Sequence, residues 1–204
     1  MCDDKMLTNI MCADADIRMP KTIAGPLFYS PKLVESNLKF LDSIIEELGL
    51  PLVVKRVYGS LGTGVYLAKT KEELVKLYEQ NCYQPIQFQE YIKSSYGKSL
   101  RVIVIDRQIV GAFQRYNETD FRSNFGTHAD SRPFELKDKY LVLSKKIAEK
   151  FDVEYAGIDL LFGDNDEPVL CEINSNAFFE EFEKTTKINV AKLFMEMVKR
   201  KIYE

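Results

Sequence analysis

Two strand-like segments in the C-terminal third of the chain place acidic and amide side chains opposite one another. The segments are YAGIDLLFG and EPVLCEIN, and residues 163–167 between them are suited to a turn. If they pair as an antiparallel hairpin, Asp159 lies opposite Glu172, and Asn174 shares their face because side chains alternate along a strand. Two opposed carboxylates repel each other unless something positive lies between them. This hairpin therefore constrains the fold and the chemistry more than any other segment.

The remaining side chains of the hairpin are mostly apolar, which predicts that it is central and largely buried. Simple alternation places four of them behind the carboxylates and two beside them: Ile158, Leu160, Cys171 and Ile173 behind, Leu161 and Leu170 beside. Buried carboxylates without a cation are rare. Two carboxylates and an amide oxygen suit Mg²⁺ or Mn²⁺, which takes further ligands from water and substrate phosphates. The alternative is a solvent-facing edge hairpin.

A second informative stretch is PLVVKRVYGSLGTGVY, in which three glycines follow a lysine. Gly59, Gly62 and Gly64 have the order G-x-x-G-x-G. A P-loop requires its lysine after the glycines, whereas Lys55 precedes them, and the dinucleotide and kinase loops require G-x-G-x-x-G. Because neither template fits, the stretch is compatible both with a tight hairpin turn and with a phosphate-binding loop.

Composition excludes several classes of function. The net charge of −3 disfavours a nucleic-acid surface or an anionic membrane as the main partner, and no stretch is apolar enough to cross a bilayer. The single histidine, His128, excludes a multi-histidine metal centre and disfavours a Ser-His-Asp hydrolase; in a loop it is more often solvent-facing than a base. The four cysteines lack a C-x-x-C pair, which favours reduced thiols over a disulfide framework or a zinc site. The acidic N-terminus is unlike a signal peptide. We expect a cytoplasmic protein.

Hydrophobic periodicity divides the chain into two α+β lobes. Helices are predicted at 5–15, about 31–48, 70–80, 137–151 and 188–202, and strands lie between them, with 117–132 as a polar loop. Thr70 and Glu73 form a capping box before the third helix. We predict a small lobe at 20–92, a larger, strand-rich lobe at 93–204, and a helix with its connection at 1–19 that packs on the large lobe. A ligand cleft is expected between the lobes.

The order of these features resembles the ATP-grasp superfamily. A lysine before a glycine hairpin, a strand ending in QEYI, and an Asp…Glu-x-Asn hairpin follow one another in that order. Within the superfamily, EYIKSSYGKSLRVIVI, FRSN and GIDLLF…EPVLCEINSNAFFEEFEKTT are most similar to the RimK-type carboxylate–amine ligases, which include glutamate ligases. The resemblance covers nearly the whole chain, and it implies an α+β ATP-grasp fold with the nucleotide in the cleft between two lobes.

The resemblance also implies a role for each residue that matches a family motif. Those implied to bind ATP comprise two phosphate-contacting lysines, the glycine-rich lid, the adenine hinge, and a serine where the family commonly has an acidic residue near the ribose: Lys5, Lys55, Gly59, Ser60, Gly62, Gly64, Glu90, Tyr91, Ile92 and Ser99. The catalytic positions would be Arg101, Arg115, Arg122 and Asn124. The ligands of Mg²⁺ or Mn²⁺ would be Asp159, Glu172 and Asn174.

The implied reaction joins a carboxylate to an amine through an acylphosphate, with ATP converted to ADP and phosphate. The acceptor would be a small molecule, an amino acid or a peptide, with glutamate as an example of the amino acid added; homo-oligomerisation stays open. Two loops depart from the family pattern: FGTHADSRP after FRSN, and NSNAFF after the metal-ligand motif. Both would face the acceptor, so substrate choice does not carry over.

Two alternatives to a ligase stay open at this level. One is a nucleotide-binding ATP-grasp module without ligase activity, such as a fragment, sensor or remnant. The other is a phosphoryl-transfer kinase on the same fold, which would release a phosphorylated substrate and no free phosphate. RimK-type proteins normally begin with a separate small α/β domain, whereas this chain begins almost directly at the helix predicted over residues 5–15. The chain is accordingly expected to be a fragment or to lack that domain.

Overall fold

The computed structural model describes residues 4–27, 33–124, 126 and 128–203. The helices in this part of the chain are α1 (Lys5–Ala13), α2 (Glu35–Leu48), α3 (Lys71–Asn81), α4 (Asp138–Lys150), α5 (Glu180–Thr186) and α6 (Val190–Tyr203), with 3-10 turns at Lys93–Ser95 and Asp164–Asp166. The strands are β1 (Thr22–Ala24), β2 (Leu52–Arg56), β3 (Val65–Ala68), β4 (Ile86–Glu90), β5 (Lys98–Ile105), β6 (Gln108–Asn117), β7 (Ala129–Pro133), β8 (Tyr155–Phe162) and β9 (Pro168–Asn174). No helix among the described residues is both long and apolar enough to cross a membrane.

The small lobe is a four-stranded antiparallel sheet in the order β1-β4-β2-β3, covered by α2 and α3. The glycine stretch connects β2 to β3, whose register places Lys55 opposite Val65. Helix α3 begins where its sequence predicts, because the Thr70 hydroxyl accepts the backbone N–H of Glu73 at 3.2 Å. The Glu73 carboxylate returns to the backbone N–H of Lys69 at 2.7 Å, one residue earlier than a capping box requires. The core of this lobe includes the fully buried Phe88.

The large lobe is a five-stranded antiparallel sheet in the order β7-β6-β5-β8-β9. One face packs against α4 and the N-terminal segment, which contributes Cys12 to the core. The opposite face is divided along its length. At one end α5 and α6 cover it, with Phe182 packed on Phe113. At the other end its side chains, which include Arg101, face the small lobe across a cleft. Alternation along β5 thus separates buried core residues from cleft residues.

Three sequence-based assignments of secondary structure are wrong or incomplete. The sequence predicts a loop over the polar span 117–132, but Ala129–Pro133 pairs with β6 as an edge strand. Its sequence, ADSRP, lacks the apolar alternation of a strand, because hydrogen bonds to β6 rather than burial define it. The short helix α5 has no predicted counterpart. Helix α2 starts at Glu35, later than the predicted start near residue 31, and residues 31–32 lie outside the described part of the chain.

The hairpin β8–β9 has the predicted register at its acidic pair but not beyond it. Asp159 pairs with Glu172, whereas the next pair is Leu160 with Leu170, so Cys171 is an extra residue in a β-bulge. The expectation that Leu170 lies beside the carboxylates and Cys171 behind them is therefore wrong. Leu170 is fully buried in the core of the large lobe, and Cys171 lines the cleft. The hairpin is also not wholly central, since β9 is the last strand of its sheet.

Candidate active site

The candidate site is the cleft between the two sheets, a space of about 1210 Å³ that includes its solvent-open mouth. All but one of the residues that the resemblance implicated line this cleft, although they come from six different strands, three loops and the first residue of α1. The exception is Gly64, whose φ of +74° and close approach to Arg56 make it a residue of the hairpin turn. His128 is exposed and does not line the cleft.

Asp159 lies at the floor of the cleft between two arginines. Arg101 donates to both of its oxygens, from Nε to Oδ1 at 2.7 Å and from Nη2 to Oδ2 at 2.6 Å. Arg115 adds an ion pair from Nη2 to Oδ1 at 2.7 Å, and all three side chains are nearly inaccessible to solvent. Burial by itself would raise the pKa of Asp159, but the two guanidinium groups outweigh it and lower that pKa. The cluster of one carboxylate and two guanidinium groups therefore carries a net positive charge.

Glu172, opposite Asp159, has a different environment. Burial raises the pKa of Glu172, and the negative charge of Asp159 adds to this rise, whereas Lys5 and Lys55 oppose it. The Asn174 side chain satisfies both of its neighbours in one orientation: Nδ2 donates to Glu172 Oε1 at 2.7 Å, and Oδ1 accepts from Arg101 Nη2 at 3.2 Å. A raised pKa means that the ionised form of Glu172 is destabilised, so a cation bound beside this carboxylate would be favoured.

The oxygen atoms of this hairpin fit a magnesium ion chemically. Two carboxylates and an amide oxygen are hard ligands, and their pairing across β8–β9 places them on one wall of the cleft. Asp159 accepts from Arg101 and Arg115, so among the described residues Glu172 is the carboxylate of this set without an ion pair. Within the described residues, no three histidine, cysteine, aspartate or glutamate side chains form a self-sufficient metal cage. Such a partial ligand set matches an ion that takes its other ligands from water and phosphate.

The strand pairing defines a direction along the cleft. At one end the backbone N–H of Phe162 donates to the hydroxyl of Ser95 at 3.1 Å, just beyond the predicted adenine hinge Glu90–Ile92. Further along β8, Asp159 pairs with Glu172, and Gly157 pairs with Asn174 at the other end. A nucleotide that placed its base at the hinge would therefore direct its phosphates toward the carboxylates.

The hinge and the predicted ribose region are held by contacts within the protein. The Glu90 carboxylate accepts the backbone N–H of Lys21 at 3.0 Å. The ring of Tyr91 packs edge-on against Phe121 at a centroid distance of 6.3 Å. Ser99, which replaces the acidic residue common in the family, shares a 2.6 Å hydrogen bond with the buried hydroxyl of Ser123. Ser99 therefore offers a hydroxyl rather than a charge to the cleft.

The glycine-rich lid, defined here as residues 59–65, is attached at both ends. At its start, Lys5 Nζ donates to the carbonyl of Gly59 at 2.6 Å. At its end, Arg122 of the large lobe donates from Nη1 to the carbonyls of Gly62 and Val65, both at 3.2 Å. Gly59 and Gly62 have positive φ angles of +140° and +72°, which explains the need for glycine there. Lys55 lies beneath the lid with Nζ 3.8 Å from Cys171 Sγ.

Sequence reasoning missed three residues that contribute to the site. Cys171 reaches the cleft only because of the β-bulge, and the sequence contains no signal for that bulge. Ser123 lies within the FRSN motif and could have been identified as the partner of Ser99. Asp120 binds the Arg122 guanidinium through both carboxylate oxygens, at 3.0 and 2.8 Å. An acid two residues before a motif arginine was the signal for that pair.

Known proteins resemble this chain in both sequence and fold. The model of the family described as the RimK-like ATP-grasp domain matches residues 2–198. An uncharacterised Mycoplasma pneumoniae protein, the MG012 homolog, is 32% identical over 194 residues, covering 93% of this chain and 66% of that protein. Human N-acetylaspartylglutamate synthase A is 31% identical over 192 residues, covering 93% of this chain and 47% of the synthase. The chain thus spans about half to two thirds of the length of these relatives.

A solved structure with the same fold is that of the ATP-grasp ligase PsnB complexed with a minimal precursor, Mg and ADP. It superposes with a TM-score of 0.72 over 96% of this chain and 58% of the ligase chain, at 21% sequence identity. At that identity the similarity shows the fold. The expected α+β ATP-grasp architecture with two lobes is therefore confirmed.

Proposed function

Because this chain belongs to the RimK-like ATP-grasp family, we propose that it is the nucleotide-binding and catalytic module of an ATP-dependent ligase that joins a carboxylate to an amine. The observation that carries this proposal is the position of Glu172. It faces Asp159 across one hairpin, it lies within electrostatic reach of Lys5 and Lys55, and burial raises its pKa. A buried acid in that position suits a site for a cation and phosphates.

The proposed reaction has two displacements. First, a substrate carboxylate oxygen attacks the γ-phosphorus of ATP, and the bond to the bridging oxygen breaks to release ADP and form an acylphosphate. Second, the lone pair of an acceptor amine attacks the acyl carbon, and inorganic phosphate leaves as the amine loses a proton. Neither step needs a nucleophile from the protein. Bound magnesium, held by Asp159, Glu172 and Asn174, would neutralise phosphate charge and orient the phosphates.

The side chains of this chain have complementary roles in the proposal. Lys5 and Lys55 neutralise the triphosphate, which lowers the repulsion that an incoming carboxylate meets. Arg101 and Arg115 carry more positive charge than Asp159 neutralises, and the buried Nε of Arg115 has no hydrogen-bond partner among the described residues. That donor is suited to an anionic oxygen of the acylphosphate or of the tetrahedral intermediate. Arg122 and Asn124 also line the cleft.

The proposed substrates follow the relatives only in class. By its name, the human relative makes N-acetylaspartylglutamate, and PsnB was solved with a minimal precursor. We accordingly propose an amino acid, a peptide or a small molecule as the acceptor, with glutamate as one candidate for the amino acid joined. We place the protein in the cytoplasm, where ATP and Mg²⁺ are abundant.

A second candidate is a nucleotide-binding module without ligase activity of its own. The chain matches 66% and 47% of the two relatives described above, so the activity of those whole proteins does not carry over to it from the match alone. On that proposal the cleft binds Mg-ATP but requires further protein for turnover. The two candidates therefore predict the same nucleotide binding and differ in product formation.

The test is release of ADP and phosphate from Mg-ATP in the presence of paired amino acids and short peptides. We expect ADP release that depends on the acceptor amine, and loss of this turnover in Glu172→Gln, which removes one ligand charge. The matched control is Glu167→Gln, because Glu167 lies at the turn of the same hairpin with a side chain 55% exposed. Turnover that survives in Glu172→Gln would contradict the metal assignment.

Binding is measured separately by thermal shift with Mg-ATP. A ligand at 100 times its dissociation constant adds about 2.7 kcal/mol to the free energy of unfolding. A shift without turnover would favour the second candidate. Absence of a shift would contradict both, and a phosphorylated acceptor without free phosphate would instead identify a kinase.

A further inference from the structure

The loop between β6 and β7 contains an aspartate that clamps the arginine of the FRSN motif. Asp120 Oδ1 accepts from Arg122 Nε at 3.0 Å, and Oδ2 accepts from Nη2 at 2.8 Å. The backbone N–H of Arg122 also donates to Asp120 Oδ1, at 2.8 Å. Both side chains are mostly buried, with 26% of the aspartate and 17% of the arginine exposed. A bidentate carboxylate restricts both the position and the plane of a guanidinium group.

The clamp turns the remaining guanidinium nitrogen toward the other lobe. Nη1 carries two hydrogens, and it donates to two lid carbonyls, those of Gly62 and Val65. The donor and the two acceptors are about 60 residues apart in sequence, at separations of 60 and 57. Arg122, whose orientation depends on Asp120, therefore binds the end of the lid to the large lobe, while Lys5 of α1 binds its start.

The loop that carries this pair is itself firmly mounted. Asn117 Oδ1 accepts three hydrogen bonds from the loop, including one from the backbone N–H of Asp120 at 3.0 Å. Gly97 donates its backbone N–H to the carbonyl of Phe121 at 3.0 Å, and Phe121 in turn packs on the hinge residue Tyr91. Residues 120–122 thus contact the hinge on one side and the lid on the other. These contacts fix the position of the Asp120–Arg122 pair relative to the lid.

From these contacts we infer that Asp120 is a positioning residue, which holds Arg122 against the carbonyls of Gly62 and Val65 and so keeps the glycine-rich lid closed on the large lobe. The inference concerns the lid in the nucleotide-free protein. It rests on the proposed function only in its consequence, which is that a nucleotide beneath the lid is released more slowly. The pKa of Asp120 is lowered by its hydrogen bond to Arg122, so the carboxylate is ionised at neutral pH.

The direct test is amide hydrogen exchange of the nucleotide-free protein, wild type against Asp120→Asn. The amide side chain has nearly the same shape, but it directs an NH₂ group at the guanidinium and loses the charge. We expect exchange to accelerate about tenfold in peptides covering residues 59–65, as for the loss of one hydrogen bond to a charged group. Peptides from α3 in the same lobe should exchange at the wild-type rate.

The matched control is Asp130→Asn. Asp130 lies on β7 of the same lobe, where its carboxylate accepts a hydrogen bond from the Tyr116 hydroxyl at 2.9 Å and does not line the cleft. Asp130→Asn should leave amide exchange in the lid unchanged. Asp120→Glu retains the charge, so its lid should exchange more slowly than that of Asp120→Asn. If the role of Asp120 were purely steric, the lid of Asp120→Glu would exchange faster than that of Asp120→Asn.

A second measurement follows the consequence for a ligand, with the non-hydrolysable analogue AMPPNP and Mg²⁺ as the probe. Its dissociation rate should rise in Asp120→Asn by about the factor by which exchange in the lid accelerates. Unchanged exchange in the lid, equal acceleration throughout the chain, or the same effect in Asp130→Asn would overturn the inference. Failure of AMPPNP to bind wild type would contradict the proposed function, while the exchange result would still decide the role of Asp120.

Discussion

The replacement Asp159→Asn tests what holds the two arginines at the floor of the cleft. In the wild-type protein one carboxylate accepts from Arg101 and Arg115, and the side chains are 10%, 11% and 7% exposed, respectively. Asparagine keeps the shape but offers one acceptor oxygen and no charge. Two buried guanidinium groups would then lose the carboxylate that binds both of them, in a medium that screens their mutual repulsion poorly.

The expected loss of stability is large because the partners are buried. Removal of one member of a buried ion pair typically costs about 3–5 kcal/mol. In a chain of this size each kcal/mol lowers the melting temperature by about 2–4 °C, so the variant should melt roughly 6–20 °C below wild type. The assay is thermal and urea unfolding without nucleotide or metal. Measured in this way, the loss reports the ion pairs alone and not ligand binding.

An exposed aspartate provides the matched control. Asp152 pairs with Arg107 at 3.1 Å, but its side chain is 79% exposed, so Asp152→Asn should change stability by at most about 1 kcal/mol. Its φ of +47° is one that asparagine tolerates well. The reasoning would be refuted if Asp159→Asn unfolded within about 1 kcal/mol of wild type, because the arginines would then not depend on that carboxylate.

Two further predictions concern the backbone and a buried thiol. Gly97→Ala should cost more than about 2 kcal/mol in urea unfolding, since φ is +61° and a Cβ would lie 2.0 Å from the Asn117 carbonyl oxygen; Gly49→Ala, with φ of +73° but open space, should cost about 1 kcal/mol. Burial raises the pKa of Cys12 from 9.0 to about 11, so its contribution to stability is present below pH 9 and is lost as pH rises to about 11. Between pH 8 and 11 the free energy of unfolding should therefore fall less in Cys12→Ala than in the wild-type protein. An equal fall in the two proteins would contradict the raised pKa of Cys12.

Local patterns were sufficient to predict several parts of the site. The position of the turn predicted the ladder next to it, in which Leu160 pairs with Leu170, whereas the β-bulge brings Glu172 rather than Cys171 opposite Asp159. The capping residue Thr70 marked the start of α3, and the glycine spacing marked the β2–β3 hairpin. These features depend on neighbours within about ten residues, whose geometry a periodicity of 2.0 or 3.6 already specifies.

Other features depended on contacts between distant segments. The sequence of β9 does not reveal the β-bulge that turns Leu170 toward the core and Cys171 toward the cleft. A bulge is a mismatch between two paired strands rather than a property of either strand. The edge strand β7 has an exposed polar sequence, and only its hydrogen bonds to β6 identify it. In each case the partner, rather than the local pattern, determines the conformation.

By itself, the sequence determined the acidic hairpin, the glycine hairpin, the two lobes and the family, because each is encoded in local spacing and order. Only the tertiary structure decided how the charges are shared: Asp159 binds Arg101 and Arg115, whereas Glu172 has no such ion pair among the described residues and is influenced by Lys5 and Lys55. It also decided that Arg122 reaches the lid. The physical reason is that electrostatic and hydrogen-bond partners are chosen by distance in space, and these side chains come from strands and loops far apart along the chain.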